Sequence, residues 1–317
     1  MIPLGWLYSS VVGLRNAMFD REILRARKLA WPVVSVGNIS VGGSGKTPFV
    51  IMLGELLAEK GIWIDVLSRG YRRSTQGVLT VNAEGAADQF GDEPLLIARK
   101  LRCLVIVGED RFEAGLQSEE DYARAGSNPM HLLDDGFQHR QLHRDFDIVL
   151  LNQEDLDDRL LPSGRLREPL SSLKRADAVV VDNGCPAELV PKGDFQLWRM
   201  ERELDTPEVE SPLIAFCGIA RPQRFFSDLR KKGLDVREEI VFRDHYRYNE
   251  ADVQRLAAAQ ASLPGSRLVT TEKDAMNLGA SLASLEPIVV KMRMTIADPD
   301  AALKFLLGTI AERRACH

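Results

Sequence analysis

The sequence predicts an α/β fold: a mostly parallel β-sheet with helices on both faces. Short, nearly continuous apolar runs recur along the first half of the chain, as in strands buried on both faces. Segments with helical periodicity, such as 47–60 and 93–101, separate these runs, as in strand–helix–strand crossovers. The predicted strands are 33–36, 62–67, 104–107, 130–133, 148–151 and 178–181.

A smaller C-terminal α/β domain follows in this prediction. The polar, proline-containing stretch 203–212 (ELDTPEVESP) is typical of a boundary between domains. We therefore divide the chain into residues 1–207 and 208–317. Beyond the boundary, the predicted strands are 213–216, one near Ile240, 267–270 and 287–290, and the predicted helices are 221–232 and 251–262.

Composition limits the function classes. The chain has 317 residues, 45% of them hydrophobic, and a net charge of −5, as in a globular protein with an ample core. The acidic balance argues against a nucleic-acid-coating protein, which needs a basic surface. The four cysteines form no C-x-x-C pair, so the sequence indicates neither a disulfide framework nor a zinc site, and we expect a reducing cytoplasmic compartment.

The N-terminal stretch 4–14 (LGWLYSSVVGL) is apolar and is followed by several arginines and a lysine. It is shorter than the ~20 residues of a spanning helix, and it lacks the charge order of a signal peptide. We predict an amphipathic helix in the membrane interface, with Trp6 and Tyr8 at the depth of the headgroups. The alternative is a helix packed on its own domain.

A glycine-rich motif, SVGGSGKT, lies between the first predicted strand and the helix 47–60. Such a loop lets backbone N–H groups surround phosphate oxygens, while Lys46 reaches the β- and γ-phosphates and the Thr47 hydroxyl binds Mg²⁺. Ser40 stands where the general pattern has glycine. The motif predicts a P-loop NTPase-like domain, and a turn without a ligand is the alternative. The predicted nucleotide-binding residues of the motif are Gly42, Gly43, Ser44, Gly45, Lys46 and Thr47.

The predicted strand 130–133 ends on two carboxylates, Asp134 and Asp135. The carboxyl edge of a parallel sheet faces the ligand crevice, so we expect one of the pair to complete the Mg²⁺ site with Thr47. A carboxylate that caps a turn is the alternative for either residue alone. His139 and His143 are four residues apart without a third ligand, and we expect no metal there.

Seven segments together resemble one family. They are VGNISVGGSGKTP from Val36, SRGYR from Ser68, GDEP from Gly91, DDGFQH from Asp134, LPSGRLREP from Leu161, FRDH from Phe242 and TEKD from Thr271. In order and spacing they resemble the tetraacyldisaccharide 4′-kinase family over nearly the whole chain. The resemblance implies an enzyme that uses ATP and Mg²⁺ to phosphorylate the 4′-hydroxyl of tetraacyldisaccharide 1-phosphate, which gives lipid IV-A. It also implies the cytoplasmic face of the bacterial inner membrane, reached through the N-terminal helix, with no obligate protein partner.

The resemblance also implies residue roles. Asp92 of GDEP becomes the general base and His245 of FRDH its partner, brought together by closure of the two domains. Without the resemblance, Asp92 reads as a helix cap and His245 as a surface loop residue. Arg111 is expected at the nucleotide, Arg167 in the catalytic set and Arg165 near a phosphate, with Glu168 orienting one of these arginines. Arg69, Tyr71 and Lys273 have no assigned role.

Another function class fits the glycine-rich motif alone. A P-loop regulatory or assembly ATPase would use hydrolysis to drive a conformational cycle on a protein partner. Such an ATPase hydrolyses ATP without an acceptor, whereas a kinase consumes ATP in proportion to phosphorylated glycolipid. A structural membrane module would have no use for Lys46 and Thr47.

Overall fold

The computed structural model describes residues 4–122, 128–209 and 211–316, apart from the side chains of residues 4, 6, 7 and 280. The described residues form twelve strands: β1 Val33–Asn38, β2 Trp63–Ser68, β3 Leu79–Thr80, β4 Leu104–Val107, β5 Pro129–Asp134, β6 Phe146–Leu151, β7 Ala178–Asp182, β8 Gln196–Asp205, β9 Leu213–Cys217, β10 Val236–Val241, β11 Arg267–Thr271 and β12 Ile288–Ile296. They also form ten α-helices: α1 Leu4–Asp20, α2 Lys46–Glu59, α3 Ala87–Phe90, α4 Asp92–Leu101, α5 Arg111–Asp121, α6 Pro222–Lys231, α7 Glu250–Ser262, α8 Glu272–Leu278, α9 Leu282–Leu285 and α10 Pro299–Ala315.

All twelve strands belong to one sheet, in the order β10-β9-β11-β12-β8-β7-β6-β1-β5-β2-β4-β3. Neighbouring strands are parallel except for the pairs β8–β12 and β3–β4. The predicted α/β class with a mostly parallel sheet is confirmed. Strand β1 lies between β5 and β6, and every one of its six residues is buried. Burial on both faces explains why its residues are mostly apolar, with Ser35 and Asn38 as the polar exceptions.

The two faces of the N-terminal half have separate cores. On one face, Val34 and Val36 of β1 pack in one cluster with residues of α2, α4 and α10. On the other face, Val33 packs with residues that include Ala114 of α5. Alternate residues of β1 thus enter opposite cores, which is the period-two geometry of a strand.

Strand β8 joins the two halves of the sheet. It pairs with β12 in antiparallel register from Lys291 opposite Asp205 to Ile296 opposite Met200. Strand β8 continues to Asp205, so the polar stretch 203–212 begins inside a strand, and the strand predicted at 287–290 extends to Ile296. Strand β8 was not predicted from the sequence, because only one of its faces is buried and the exposed face carries charged residues.

The last helix returns to the first half of the molecule. Leu303, Leu306 and Ile310 of α10 are buried in the same cluster as Val34 and Val36. Residues beyond 207 therefore contribute to the core of the N-terminal half, while the division at 207 itself stays a prediction. Helix α10 was not predicted, although Asp298 accepts a hydrogen bond from the Ala301 N–H as a helix cap and Pro299 follows it.

Helix α1 packs on the N-terminal half through polar contacts. The Tyr8 hydroxyl donates to the Arg167 carbonyl at 3.0 Å, and the Asn16 amide donates to Glu168 at 2.7 Å. Tyr8 thus faces the protein, which corrects its predicted place among lipid headgroups. The side chains of Val11 and Leu14 are 58% and 65% exposed. The predicted place of the Trp6 side chain lies outside the described residues, and no helix in the described ranges has the length and apolarity to cross a bilayer.

Candidate active site

A cavity of about 640 Å³ lies between the two halves of the chain. The N-terminal half contributes the glycine-rich loop and the ends of β2 and β5, and the C-terminal half contributes residues around α6, His245 and α8. The carboxyl ends of neighbouring parallel strands thus open into one crevice, where open α/β sheets bind ligands.

The glycine-rich loop connects β1 directly to α2. Gly42 and Gly45 have φ values of 92° and 86°, in the left-handed region that favours glycine. A Cβ atom at Gly45 would crowd only the flexible end of the Met294 side chain, so the positive φ, and not the space, favours glycine there. Helix α2 begins at Lys46 without a side-chain cap, which leaves its first N–H groups available to an anion. This strand–loop–helix arrangement has the geometry of a phosphate-binding P-loop.

Lys46 lies among oxygen acceptors at the base of the cavity. Its Nζ is 3.2 Å from Oδ1 of Asn38 and 3.3 Å from Oδ1 of Asp135. A second cation, Arg167, lies 2.9 Å from the Asp135 carboxylate. Burial raises the pKa of Asp135, but Lys46 and Arg167 outweigh it and lower that pKa to about 2. Asp135 is therefore an ionised partner of two cations. Sequence reasoning missed Asn38, the last residue of β1.

Asp134 is the buried acid of the pair. Its Oδ2 accepts a hydrogen bond from the Ser68 hydroxyl at 3.2 Å, and its Oδ1 is a buried oxygen with no hydrogen-bond partner among the described residues. Burial, with the charges of Glu93 and Asp135, raises the pKa of Asp134 well above its usual range. A bound divalent cation would stabilise the ionised form of Asp134 and offset the cost of burying its charge. Mg²⁺ typically takes one or two carboxylates plus phosphate oxygens. The buried Thr47 and Asp134 fit that role.

Asp92 and His245 form a pair at the edge of the cavity, where His245 and Glu93 belong to the lining residues and the buried Asp92 does not. Nδ1 of His245 lies 2.8 Å from Oδ2 and 3.1 Å from Oδ1 of Asp92. Asp92 is the first residue of α4, and its Oδ1 also accepts from the Glu93 N–H at 3.0 Å. Burial raises the pKa of Asp92, but the His245 hydrogen bond and the Lys273 charge lower it to about 2. The two predicted residues therefore lie together, with only 13% of the His245 side chain exposed.

The backbone of His245 is held in an uncommon conformation. Its φ is 55°, in the left-handed region that costs a non-glycine residue free energy. The Arg72 guanidinium donates to the carbonyls of Asp244 and His245 at 2.7 and 3.2 Å. Arg247 donates in return to the Arg72 carbonyl at 2.9 Å. This reciprocal clasp joins the loop after β2 to the loop after β10 and supports the position of the imidazole.

The other predicted residues are distributed as follows. Arg111 is buried at the start of α5, donates to the Glu109 carbonyl at 2.9 Å and does not belong to the described residues that line the cavity. Arg165 pairs with Asp158 at 2.9 Å. Glu168 pairs with Arg175 at 2.8 Å, which is not one of the arginines that it was expected to orient (Arg111, Arg165 and Arg167). Arg69, Tyr71, Arg167 and Lys273 line the cavity.

Three further arginines in the cavity wall were missed. Arg202 on β8 donates to the Ser44 carbonyl of the P-loop at 3.0 Å. Arg221 pairs with Glu154 at 2.8 Å, and Arg224 pairs with Asp182. No sequence motif marks these residues. Arg202 lies on β8, which pairs with the distant strand β12, and Arg221 and Arg224 lie at the start of α6.

Comparisons with known proteins agree with this geometry. The family model described as tetraacyldisaccharide-1-P 4′-kinase matches residues 1–311. A tetraacyldisaccharide 4′-kinase of Koribacter versatilis is 47% identical over 99% of this chain and 100% of the relative. One from Aquifex aeolicus is 40% identical over 88% of this chain and 89% of the relative.

A solved structure gives the same result for the fold. The crystal structure of the Aquifex aeolicus protein in complex with ATP superimposes with a TM-score of 0.77 at 35% sequence identity. The match covers 98% of each chain. Because the family model matches residues 1–311 and the Koribacter versatilis relative aligns over its full length at 47% identity, the chain belongs to the tetraacyldisaccharide 4′-kinase family.

Proposed function

We propose that Asp92, oriented by His245, is the general base in ATP-dependent phosphorylation of the 4′-hydroxyl of tetraacyldisaccharide 1-phosphate. The reaction follows from membership of the 4′-kinase family. The observation that carries the residue assignment is the 2.8 Å contact between Oδ2 of the buried Asp92 and Nδ1 of His245, a residue that lines the P-loop cavity.

The proposed chemistry is an in-line transfer. The 4′-hydroxyl oxygen forms a bond to the γ-phosphorus, the bond from that phosphorus to the bridging oxygen of ADP breaks, and the hydroxyl proton passes to Asp92. An ordinary carboxylate is a weak base, so its contribution depends on position and on remaining ionised, and the low pKa of Asp92 supports the second condition. Product release returns the proton to solvent.

The cations of the site have separate proposed roles. Lys46 and the N–H groups at the start of α2 bind the β- and γ-phosphates, and Arg167 stabilises charge on the transferred group. Arg111 is buried and does not line the cavity, and it supports the nucleotide site through its positive charge. Thr47 and Asp134 would hold Mg²⁺, which would neutralise phosphate charge, while Asp135 positions Lys46 and Arg167.

The acceptor is an acylated sugar, so the site must lie near a lipid surface. We propose that α1 rests on the cytoplasmic face of the bacterial inner membrane, with the exposed Val11 and Leu14 toward the acyl chains. Ile23 and Leu24, just beyond the helix, are 63% and 38% exposed beside Arg21 and Arg25. Apolar side chains among arginines are suited to anionic headgroups. The contacts of α1 with Arg167 and Glu168 link this surface to the site.

The deciding experiment is an acceptor-dependent transfer assay. Purified protein is incubated in detergent with Mg²⁺, γ-labelled ATP and tetraacyldisaccharide 1-phosphate, and the label in glycolipid and in free phosphate is counted. We expect label in the glycolipid in proportion to ATP consumed, and little hydrolysis without acceptor. Steady hydrolysis with an unlabelled glycolipid would instead identify the regulatory ATPase class.

A further inference from the structure

We propose that Lys273 is a positioning residue for phosphoryl transfer, which sets the tautomer of His245 and aims its N–H at Asp92. This inference rests on the proposed role of Asp92 as the base. Lys273 belongs to α8, which begins at Glu272 directly after β11. The Thr271 side chain caps this helix by accepting from the Asp274 N–H, so the direction of the first turn is well defined.

The contact that carries the inference joins Lys273 to the imidazole. Its Nζ lies 3.2 Å from Nε2 of His245. An ammonium group has only donors, so Nε2 must accept and therefore carries no proton. The one proton of the imidazole is then on Nδ1, which lies 2.8 Å from Oδ2 of Asp92. Lys273, His245 and Asp92 thus form a directed chain of hydrogen bonds that ends on the proposed base.

Lys273 is strongly anchored in this position. Its side chain is only 18% exposed, and three carboxylates surround its Nζ: Glu93 at 3.4 Å, Asp92 at 3.6 Å and Asp244 at 3.7 Å. Burial alone would lower the pKa of Lys273, but these carboxylates raise it above its usual range. The ammonium therefore remains charged. It also favours the ionised form of Asp92, since a cation within about 4–6 Å lowers the pKa of a carboxyl by roughly 1–3 units.

The other charged groups near Lys273 leave this geometry unchanged. Asp244 is 3.8 Å from Nε2 of His245, too far for a hydrogen bond that would favour the opposite tautomer. On α8 itself, Glu272 pairs with Lys100 of α4, and Asp274 is occupied by the Gly218 N–H and the Tyr248 hydroxyl. The Tyr71 ring lies edge-on to the imidazole at 5.3 Å and brings no charge.

Two variants separate positioning from simple stabilisation. Lys273→Met removes the charge and keeps a similar length, and Lys100→Met removes the neighbouring ion pair between α4 and α8 without touching Asp92 or His245. We expect Lys273→Met to lower kcat about tenfold or more, with the KM for ATP within about twofold of the wild-type value. In the pH profile of kcat, the acidic limb should move to higher pH by about 1–3 units. Lys273→Arg should restore part of the loss, and Lys100→Met should leave kcat near that of the wild type.

A double-variant cycle tests whether Lys273 acts through the base. In an Asp92→Asn background, Lys273→Met should cause little further loss, because groups that act as one unit are not additive. An equal loss in both backgrounds would overturn the inference. If Asp92→Asn itself keeps wild-type kcat, the role of Asp92 fails; if Asp92→Asn is impaired while Lys273→Met is normal, only the role of Lys273 fails.

The tautomer of His245 can be measured in the wild-type protein, so this test does not depend on the folding of a Lys273 variant. Nitrogen-15 NMR of histidine-labelled wild-type protein reports which ring nitrogen carries the proton, and a His245→Gln sample identifies its signals among the five histidines. We expect the Nδ1–H tautomer of His245. A predominant Nε2–H tautomer would contradict the inference.

Discussion

His245 Nδ1 lies 2.8 Å from Asp92 Oδ2, although the two residues are 153 positions apart in the chain. The carboxylate begins a helix of the N-terminal half, and the imidazole belongs to a loop of the C-terminal half. Only the relative position of the two halves creates this pair. The catalytic role of this pair can be tested, because substitution at either residue leaves the hydrophobic cores unchanged.

The first prediction concerns this pair. Asp92→Asn keeps the shape of the side chain and removes its charge, so it should lower kcat by about 10²- to 10⁴-fold, the usual contribution of a general base. His245→Ala should cause a loss in the same range, and the double variant should lose much less than the product of the two. The measurement is kcat and the KM for ATP in the transfer assay. Fully multiplicative losses would mean that the two residues act independently.

The second prediction concerns Lys46. Lys46→Met should lower kcat by about 10²- to 10³-fold or more, because the transferred phosphoryl group loses a positioned positive charge. The matched control is Lys60→Met, since Lys60 follows the same helix, is half exposed and pairs with Asp300 at 2.8 Å on the surface. Transfer rates and melting temperatures are compared for both. Near-normal transfer by Lys46→Met would contradict the assignment of the glycine-rich loop as a P-loop.

The third prediction concerns the outer face of α1. The double substitution Val11→Ser and Leu14→Ser should reduce binding to anionic lipid vesicles and raise the KM for the lipid acceptor more than that for ATP. Both side chains are mostly exposed, so the free energy of unfolding should change little. Val241→Ser, at a 46% exposed position on β10, is the control. Unchanged vesicle flotation of the double variant would show that α1 serves only its own domain.

The fourth prediction concerns pH and a buried histidine far from the chemistry. His131 on β5 is fully buried, with Nδ1 2.8 Å from Asp65 and Nε2 3.3 Å from Glu119. Burial lowers its pKa, but the Asp65 and Glu119 carboxylates outweigh burial and raise it to about 9. An unfolded histidine titrates near ~6.5, so this interaction stabilises the fold fully below that pH and is lost as the pH rises through about 9.

The measurement is the free energy of unfolding in urea from pH 6 to pH 10, for wild type and His131→Gln. Their difference should shrink by roughly 3 kcal/mol over this range, which is the free-energy equivalent of the pKa shift. His143→Gln serves as the control because 39% of its side chain is exposed. A pH-independent difference between wild type and His131→Gln would mean that His131 is neutral in the folded protein.

The sequence alone determined the parallel core of the N-terminal half and the P-loop. Strands such as β6 (FDIVLL) are buried on both faces, so their residues are mostly apolar and the apolar run is evident in the sequence. The glycines before Lys46 follow from backbone geometry, because positive φ at Gly42 and Gly45 is a local requirement that leaves a local signature. Segment order and spacing were enough to identify the family.

Tertiary structure decided the rest of the site. Strand β8 is buried on one face only and pairs with the distant strand β12, so neither it nor Arg202 at the Ser44 carbonyl had a local signal. Asp135 lies next to Asp134, yet Lys46 and Arg167 contact only the Asp135 carboxylate, and a buried oxygen of Asp134 has no hydrogen-bond partner in the part of the chain that the structure describes. The electrostatic role of a side chain depends on the charges within a few ångströms of it. Where residues from both halves of a chain supply those charges, folding alone brings them together, as it brings Lys273 to His245.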